Sequence, residues 1–218
     1  MSAGNQFEVP KFASENSRLA FDKSNSVQPG ATFDAKKLAG RSVVITGGAS
    51  GIGEATVRAF VAAGAFVTFG DIAREQAESL VSELGADKVA FVPCDVLDWS
   101  QQLQLFKTAI DKAPSKTIDV VCANAGIAVE DDVLVEQEKI AADPTADPTE
   151  PKLSTFKVNT IGVAYTAKLA GHYLASRASE EQKDRSLIIT ASLAGYLDMP
   201  RQVLKRALDV ASSRLGAA

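Results

Sequence analysis

Residues 45–55 read ITGGASGIGEA, and this stretch decides the fold. It joins a β-branched run, SVVIT (42–46), to a segment of helical periodicity, GIGEATVRAFVAAG (51–64). Gly47, Gly51 and Gly53 therefore fall between a strand and a helix. A side chain there would hold the backbone away from a pyrophosphate, whereas bare N–H groups at a helix N-terminus attract one. Ser50 and Ile52 belong to the same loop and count with the glycines as candidate ligand contacts. Glu54 stands where a P-loop needs lysine, which argues against a Walker-type nucleotide triphosphatase. Along the helix, Ile52, Ala55, Ala59, Phe60 and Ala63 recur at helical spacing and are the expected buried face. Gly64 is the expected stop.

Outward from this turn the chain alternates strand and helix. AFVTFGD (65–71) predicts a strand, REQAESLVSELG (74–85) a helix, and KVAFVPCDV (88–96) a third strand. A helix over 98–113 follows, opened by Asp98 with Gln101 three residues on as a capping pair. IDVVCANAG (118–126) is a fourth strand and SLIIT (186–190) a fifth. Between them lie a proline-bearing acidic loop (141–152), read as a solvated connection, and a long helix over about 154–178. Continuously apolar strands alternating with helices specify an α/β fold, a parallel sheet covered on both faces. Residues 1–39 are polar and without period, an expected N-terminal arm. Residues 40–200 form the expected domain and 201–218 a divergent tail, in which Leu204, Leu208, Ala211 and Leu215 share a helical face.

The chain has 218 residues, 46% of them hydrophobic, enough for one well-buried core. Its net charge of −4 leaves no electrostatic footprint for nucleic acid. A single histidine, His172, makes a zinc cluster very improbable, so no metal is expected. Cys94 and Cys122 lie far apart in apolar contexts and read as free thiols of a reducing compartment. No stretch is apolar enough for a signal peptide or membrane span, and the expectation is a soluble cytoplasmic protein without membrane partners.

Asp71 lies 18 residues past Gly53, at the end of the second strand. A carboxylate there accepts hydrogen bonds from an adenosine ribose and repels a 2′-phosphate, so NAD is favoured over NADP. In this order of elements the chain resembles the classical short-chain dehydrogenase/reductase family over roughly residues 37–200. TGGASGIG (46–53) matches the family's cofactor loop, and CDV (94–96) supplies Asp95 and Val96 beside the adenine. NAG (124–126) supplies Asn124, Ala125 and Gly126, which steady the central sheet and border the cofactor. Asn159 looks like the family's active-site asparagine and Ser192 like its catalytic serine. The version SLAGYLDMP looks most like fungal members. The resemblance implies a Rossmann-like doubly wound sheet of order 3-2-1-4-5, here incomplete in its C-terminal half. It implies hydride exchange between NAD(H) and a secondary alcohol or ketone, and a homo-oligomer of the kind relatives form through the long helix and the helix that should carry the family's tyrosine and lysine.

The resemblance also implies a tyrosine about a dozen residues after Ser192 and a lysine four residues beyond it. The tyrosine would do the proton work and the lysine would lower its pKa. The 218 residues hold no such pair. Tyr165 is followed at +4 by Leu169, Tyr173 by Arg177 and Tyr196 by Pro200. Lys205 stands near the tyrosine's place, without a partner. Tyr165 and Lys168 share a helix face but precede the fifth strand. Two expectations stand side by side: a weak or inactive oxidoreductase, and a non-catalytic dinucleotide-binding protein or the product of altered splicing or frame after Pro200.

Overall fold

In the computed structural model, residues 34–128, 141–175 and 185–192 are described. Residues 1–33 of the arm expected over 1–39, and the tail over 201–218, with Tyr196 and Lys205, lie outside them. Five strands form one parallel sheet: β1 (Ser42–Thr46), β2 (Phe66–Asp71), β3 (Val89–Pro93), β4 (Val120–Ala123) and β5 (Ser186–Ile189). Their order is β3-β2-β1-β4-β5, as the sequence implies. Val43 pairs with Val67 on one side and Val120 on the other, and Val121 pairs with Leu187.

Successive residues of a strand point to opposite faces, and β1 feeds both cores in this way. Val43 and Ile45 pack with Val57, Phe69, Ala77 and Leu80 under α1 (Gly51–Ala62) and α2 (Arg74–Leu84). Val44 packs on the other face with Leu105, Phe106, Ala109 and Leu169, from α3 (Trp99–Lys112) and α4 (Val163–Ala175). Both faces are covered, so β1 is buried at all five positions, with Val43, Val44 and Ile45 as a continuous apolar run between Ser42 and Thr46. At the opposite end of the sheet from the glycine loop, Asp119 accepts from the Ser42 N–H and the Arg41 guanidinium, and its carbonyl accepts from the Ser186 N–H. One residue thereby ties the starts of β1, β4 and β5.

Several local expectations are corrected. The buried face of α1 is Gly53 and Val57, with Phe60 and Val61 partly covered, whereas Ile52, Ala55 and Ala59 face out. Alanines carry too little apolar surface to orient a helix, and the strands below choose the face. The third strand ends at Pro93, short of 96, and the fourth spans only Val120–Ala123. The Asp98–Gln101 capping pair forms, Asp98 accepting from the Ser100 and Gln101 N–H groups and from Gln101 Nε2, but Gln101 does not return to the cap residue's own N–H. Its carbonyl oxygen accepts from the Asp95 N–H instead. The long helix is broken in character: a turn at Ser154–Phe156, a π-helical turn at Lys157–Gly162, then α4. Part of the expected arm, Ala35–Leu38, is a short 3-10 helix. Residues 141–150 are exposed, as a solvated connection would be. No helix among the described residues is long and apolar enough to cross a membrane.

Candidate functional site

At the C-terminal ends of the strands, where open α/β sheets place their ligands, lies a groove of about 510 Å³. It forms because β1 turns sharply into α1. Gly47, at φ +69°, lies so close to the β4 loop that a Cβ there would stand 2.7 Å from the Ala125 Cα. The Gly47 and Gly48 N–H groups both donate to the Gly70 carbonyl, which bends the loop over β2. Gly53 has no room at all: a Cβ would overlap the Gly47 carbonyl and stand 2.7 Å from Asn124 Nδ2. Ser50 occupies the N-cap of α1 without making a capping hydrogen bond. The helix N-terminus thus opens onto the groove through Gly51, Ile52 and Gly53, all of which line it. Bare backbone with a favourable dipole is the donor set an anionic diphosphate requires.

Asp71 sits on the groove's far wall. One carboxylate oxygen accepts from the Ala49 N–H and the other from the Ala73 N–H, each at 2.9 Å. The acid therefore braces the glycine loop from β2 and is held in place by it. It does not cap α2, whose N-cap is Ala73. Ile72, 77% exposed, and Ile52, 70% exposed, flank the groove as apolar lips.

Beyond β3, Cys94, Asp95 and Val96 complete this wall. Asp95 accepts from the Leu97 N–H at 2.9 Å, which turns the chain out of the sheet. The Cys94 thiol is buried, and burial, followed by the charges of Asp95, Asp98 and Asp71, pushes its pKa up to about 12. Burial alone pushes Cys122 to about 11. Neither is an activated nucleophile. Among the described residues no cluster of acidic, histidine or cysteine side chains could hold a metal.

Asn124 is the hub of the opposite wall. Its Nδ2 donates to the carbonyls of Thr46 and Gly47, and its Oδ1 accepts from the Thr190 hydroxyl. The Thr46 hydroxyl oxygen accepts from the N–H groups of Asn124 and Ala125. Ala125, Gly126, Ile127, Val158 and Thr190 line the groove here. Asn159, on the π-helical turn, exchanges two hydrogen bonds with the Ile127 backbone, each at 2.9 Å. Asn159 and Ser192 are not themselves among the groove's lining residues; their neighbours Val158 and Thr190 are. Tyr165 packs edge-on against Trp99, and Tyr173 stacks on Phe106, so both serve the α3–α4 seam rather than the groove. Ile72, Ala73, Cys94, Ile127, Val158 and Thr190 are not named as site residues from the sequence, where Cys94 reads only as a free thiol. Their one available signal is adjacency to Asp71, Asp95, Gly126, Asn159 and Ser192.

A doubly wound parallel sheet with a glycine cradle at the first turn, an open helix N-terminus and an acid ending the second strand defines the dinucleotide-binding class of α/β folds. The family model for short chain dehydrogenase matches residues 41–204, and the chain belongs to that family. Its relatives include the 5'-hydroxyaverantin dehydrogenase of Dothistroma septosporum, 39% identical over 77% of this chain and 57% of the relative. That of Emericella nidulans is 34% identical over 78% and 58%. The chain thus spans little more than half the length of these curated relatives. Among solved structures, a short chain dehydrogenase/reductase from Burkholderia phymatum in complex with NAD superposes with a TM-score of 0.68 at 23% identity. The match covers 82% of this chain and 58% of that one, and it shows a shared fold.

Proposed function

We propose that the groove holds NAD(H) in preference to NADP(H). The observation that carries this is the Asp71 carboxylate, fixed by two backbone N–H groups at the end of β2. A negative charge so held would accept from ribose hydroxyls and oppose a 2′-phosphate. In this reading Gly47, Ser50, Gly51, Ile52 and Gly53 cradle the pyrophosphate. Asp95 and Val96 border the adenine, and Asn124, Ala125 and Gly126 form the wall beyond. The cofactor, when bound, supplies the hydride chemistry of the family. Residues 40–200 are the domain that binds it, in a cytoplasmic protein whose two thiols stay reduced.

The family's reaction would interconvert a secondary alcohol and a ketone, with Ser192 polarising the substrate oxygen. Asn159 would act at second hand, because its amide is engaged with the Ile127 backbone. No tyrosine–lysine pair at +4 stands in the 218 residues to move the proton. General acid–base catalysis contributes about 10²–10⁴ in rate, so this polypeptide binds the cofactor and turns over poorly or not at all. A purely dinucleotide-binding role is the second reading, and the same missing pair favours it. Calorimetry with NADH and NADPH, paired with turnover on a panel of secondary alcohols, tests both. Tighter binding of NADH with negligible turnover is expected. Equal affinity for NADPH sinks the Asp71 argument, and brisk turnover sinks the inactive reading.

A further inference from the structure

Gln102 is fully buried, yet both polar atoms of its amide are hydrogen-bonded. Its two N–H groups donate to two backbone carbonyls from different parts of the fold, Val96 at 2.7 Å and Gly162 at 3.0 Å. Its oxygen accepts from the Thr166 hydroxyl at 2.8 Å, and that hydroxyl also lies 2.9 Å from the Gly162 carbonyl. Val96 belongs to the groove wall beyond β3, while Gly162 ends the π-helical turn that carries Val158, on the opposing wall. The two segments touch at Gly162, where a Cβ would stand 2.7 Å from Val96 Cγ2. The π-helical turn is therefore latched at two points: Asn159 holds the Ile127 backbone, and Gly162 is held by Gln102.

We propose that Gln102 is a positioning residue for the groove, its side-chain amide clamping Val96 to Gly162 and so setting the spacing of the two walls. The residue type follows from the task. Two carbonyls converge on one buried point, and a neutral amide with two donors on one planar nitrogen satisfies both without burying a charge. Leucine or methionine would fill the space, strip the Val96 carbonyl of this donor and leave the Gly162 carbonyl to the Thr166 hydroxyl. The walls would then separate to admit water, because a buried carbonyl does not stay unpaired. The proposal rests on the dinucleotide reading above, since it concerns the groove's fit to that ligand.

The test compares Gln102→Met, Thr166→Val and Leu80→Ala in the full chain. Leu80→Ala truncates the core on the other face of the sheet and reports lost stability alone. NADH and ADP-ribose affinities are measured by calorimetry. Emission of Trp99, the chain's one tryptophan, reports the α3–α4 seam through its contact with Tyr165. The expected result is an affinity loss of about tenfold in Gln102→Met and about threefold in Thr166→Val, with none in Leu80→Ala. Trp99 emission should shift in Gln102→Met and stay in place in Leu80→Ala. Wild-type affinity in Gln102→Met, or an equal loss in Leu80→Ala, overturns the proposal. Should Gln102→Met fail to fold, Thr166→Val against Leu80→Ala decides by the same criteria. A wild-type chain that binds no dinucleotide overturns the proposed function. The clamp is then judged on Trp99 alone, and emission unchanged in both Gln102→Met and Thr166→Val refutes it.

Discussion

Two five-residue stretches of this chain are nearly synonymous and have opposite surroundings. SVVIT (42–46) is β1 and SLIIT (186–190) is β5 with the residue after it. All of β1 is buried, whereas Leu187 and Ile188 of β5 are 38% and 46% exposed. The difference lies in neighbours. β1 is hydrogen-bonded to β2 and β4 and covered by helices on both faces, while β5 pairs with β4 alone among the described residues. Both stretches end in a threonine that reaches Asn124, yet in opposite chemical senses. Thr46 accepts from two backbone N–H groups, and Thr190 donates one hydrogen bond to the side chain. An apolar pentapeptide states that it is a strand. Its weight in the fold is set by what the rest of the chain puts around it.

The sharpest way to break this comparison is to cut the same residue type in both strands. Ile45→Ala should cost about 2–5 kcal/mol, as buried truncations do, and Ile188→Ala under about 1 kcal/mol. Equal losses in urea denaturation would show that β5 is as deeply packed as β1. The paired threonines give a smaller contrast. Thr46→Val leaves two backbone donors without their acceptor and should cost about 1–3 kcal/mol, while Thr190→Val should fall within about 0.5 kcal/mol. Similar thermal shifts for the two would mean that the Asn124 hub is loaded evenly from both sides.

The smallest effect is a pH dependence. Cys94 and Cys122 have folded pKa values pushed up to about 12 and about 11 by burial, so the unfolded chain loses these protons first. Their contribution is complete below the ordinary thiol pKa of about 8.5 and is lost as pH rises toward the folded values. Stability should therefore decline through the alkaline range, and Cys94→Ser with Cys122→Ala should flatten that decline. Both thiols should resist a thiol-specific reagent at neutral pH until the chain unfolds.

The strands and the glycine turn were legible in sequence because they depend on local pattern: apolar runs bounded by glycine, and an acid at a strand end. What escaped was decided elsewhere in the chain. Ile52 is read both as a contact of the loop and, by period, as a core residue; it stands at the groove's lip because Gly53 and Val57 face the sheet, so only the core reading fails. The π-helical turn has no compositional mark, and the side chain that fastens it, Asn159, meets a partner 32 residues away at Ile127. Gln102 reads as a surface residue between Gln101 and Leu103, and only the arrival of Gly162 sixty residues later makes it interior. The tyrosine–lysine pair needed no structure, because absence of a spacing is visible in the letters themselves.

The crowding at Gly53 has a consequence in the genetic code. Every single-base change at a glycine codon that alters the residue adds at least a Cβ, and here a Cβ overlaps the Gly47 carbonyl. No single-base missense step from this codon is sterically open. Gly51, two residues earlier, faces open space at φ +54° and is barred only by its left-handed backbone. Aspartate is one base away from glycine and among the residues that most readily adopt that conformation. Two glycines of one loop are thus kept for different reasons: Gly53 by overlap within the protein itself, Gly51 by its left-handed backbone and by the groove it lines, where an aspartate would oppose the pyrophosphate of the proposed function.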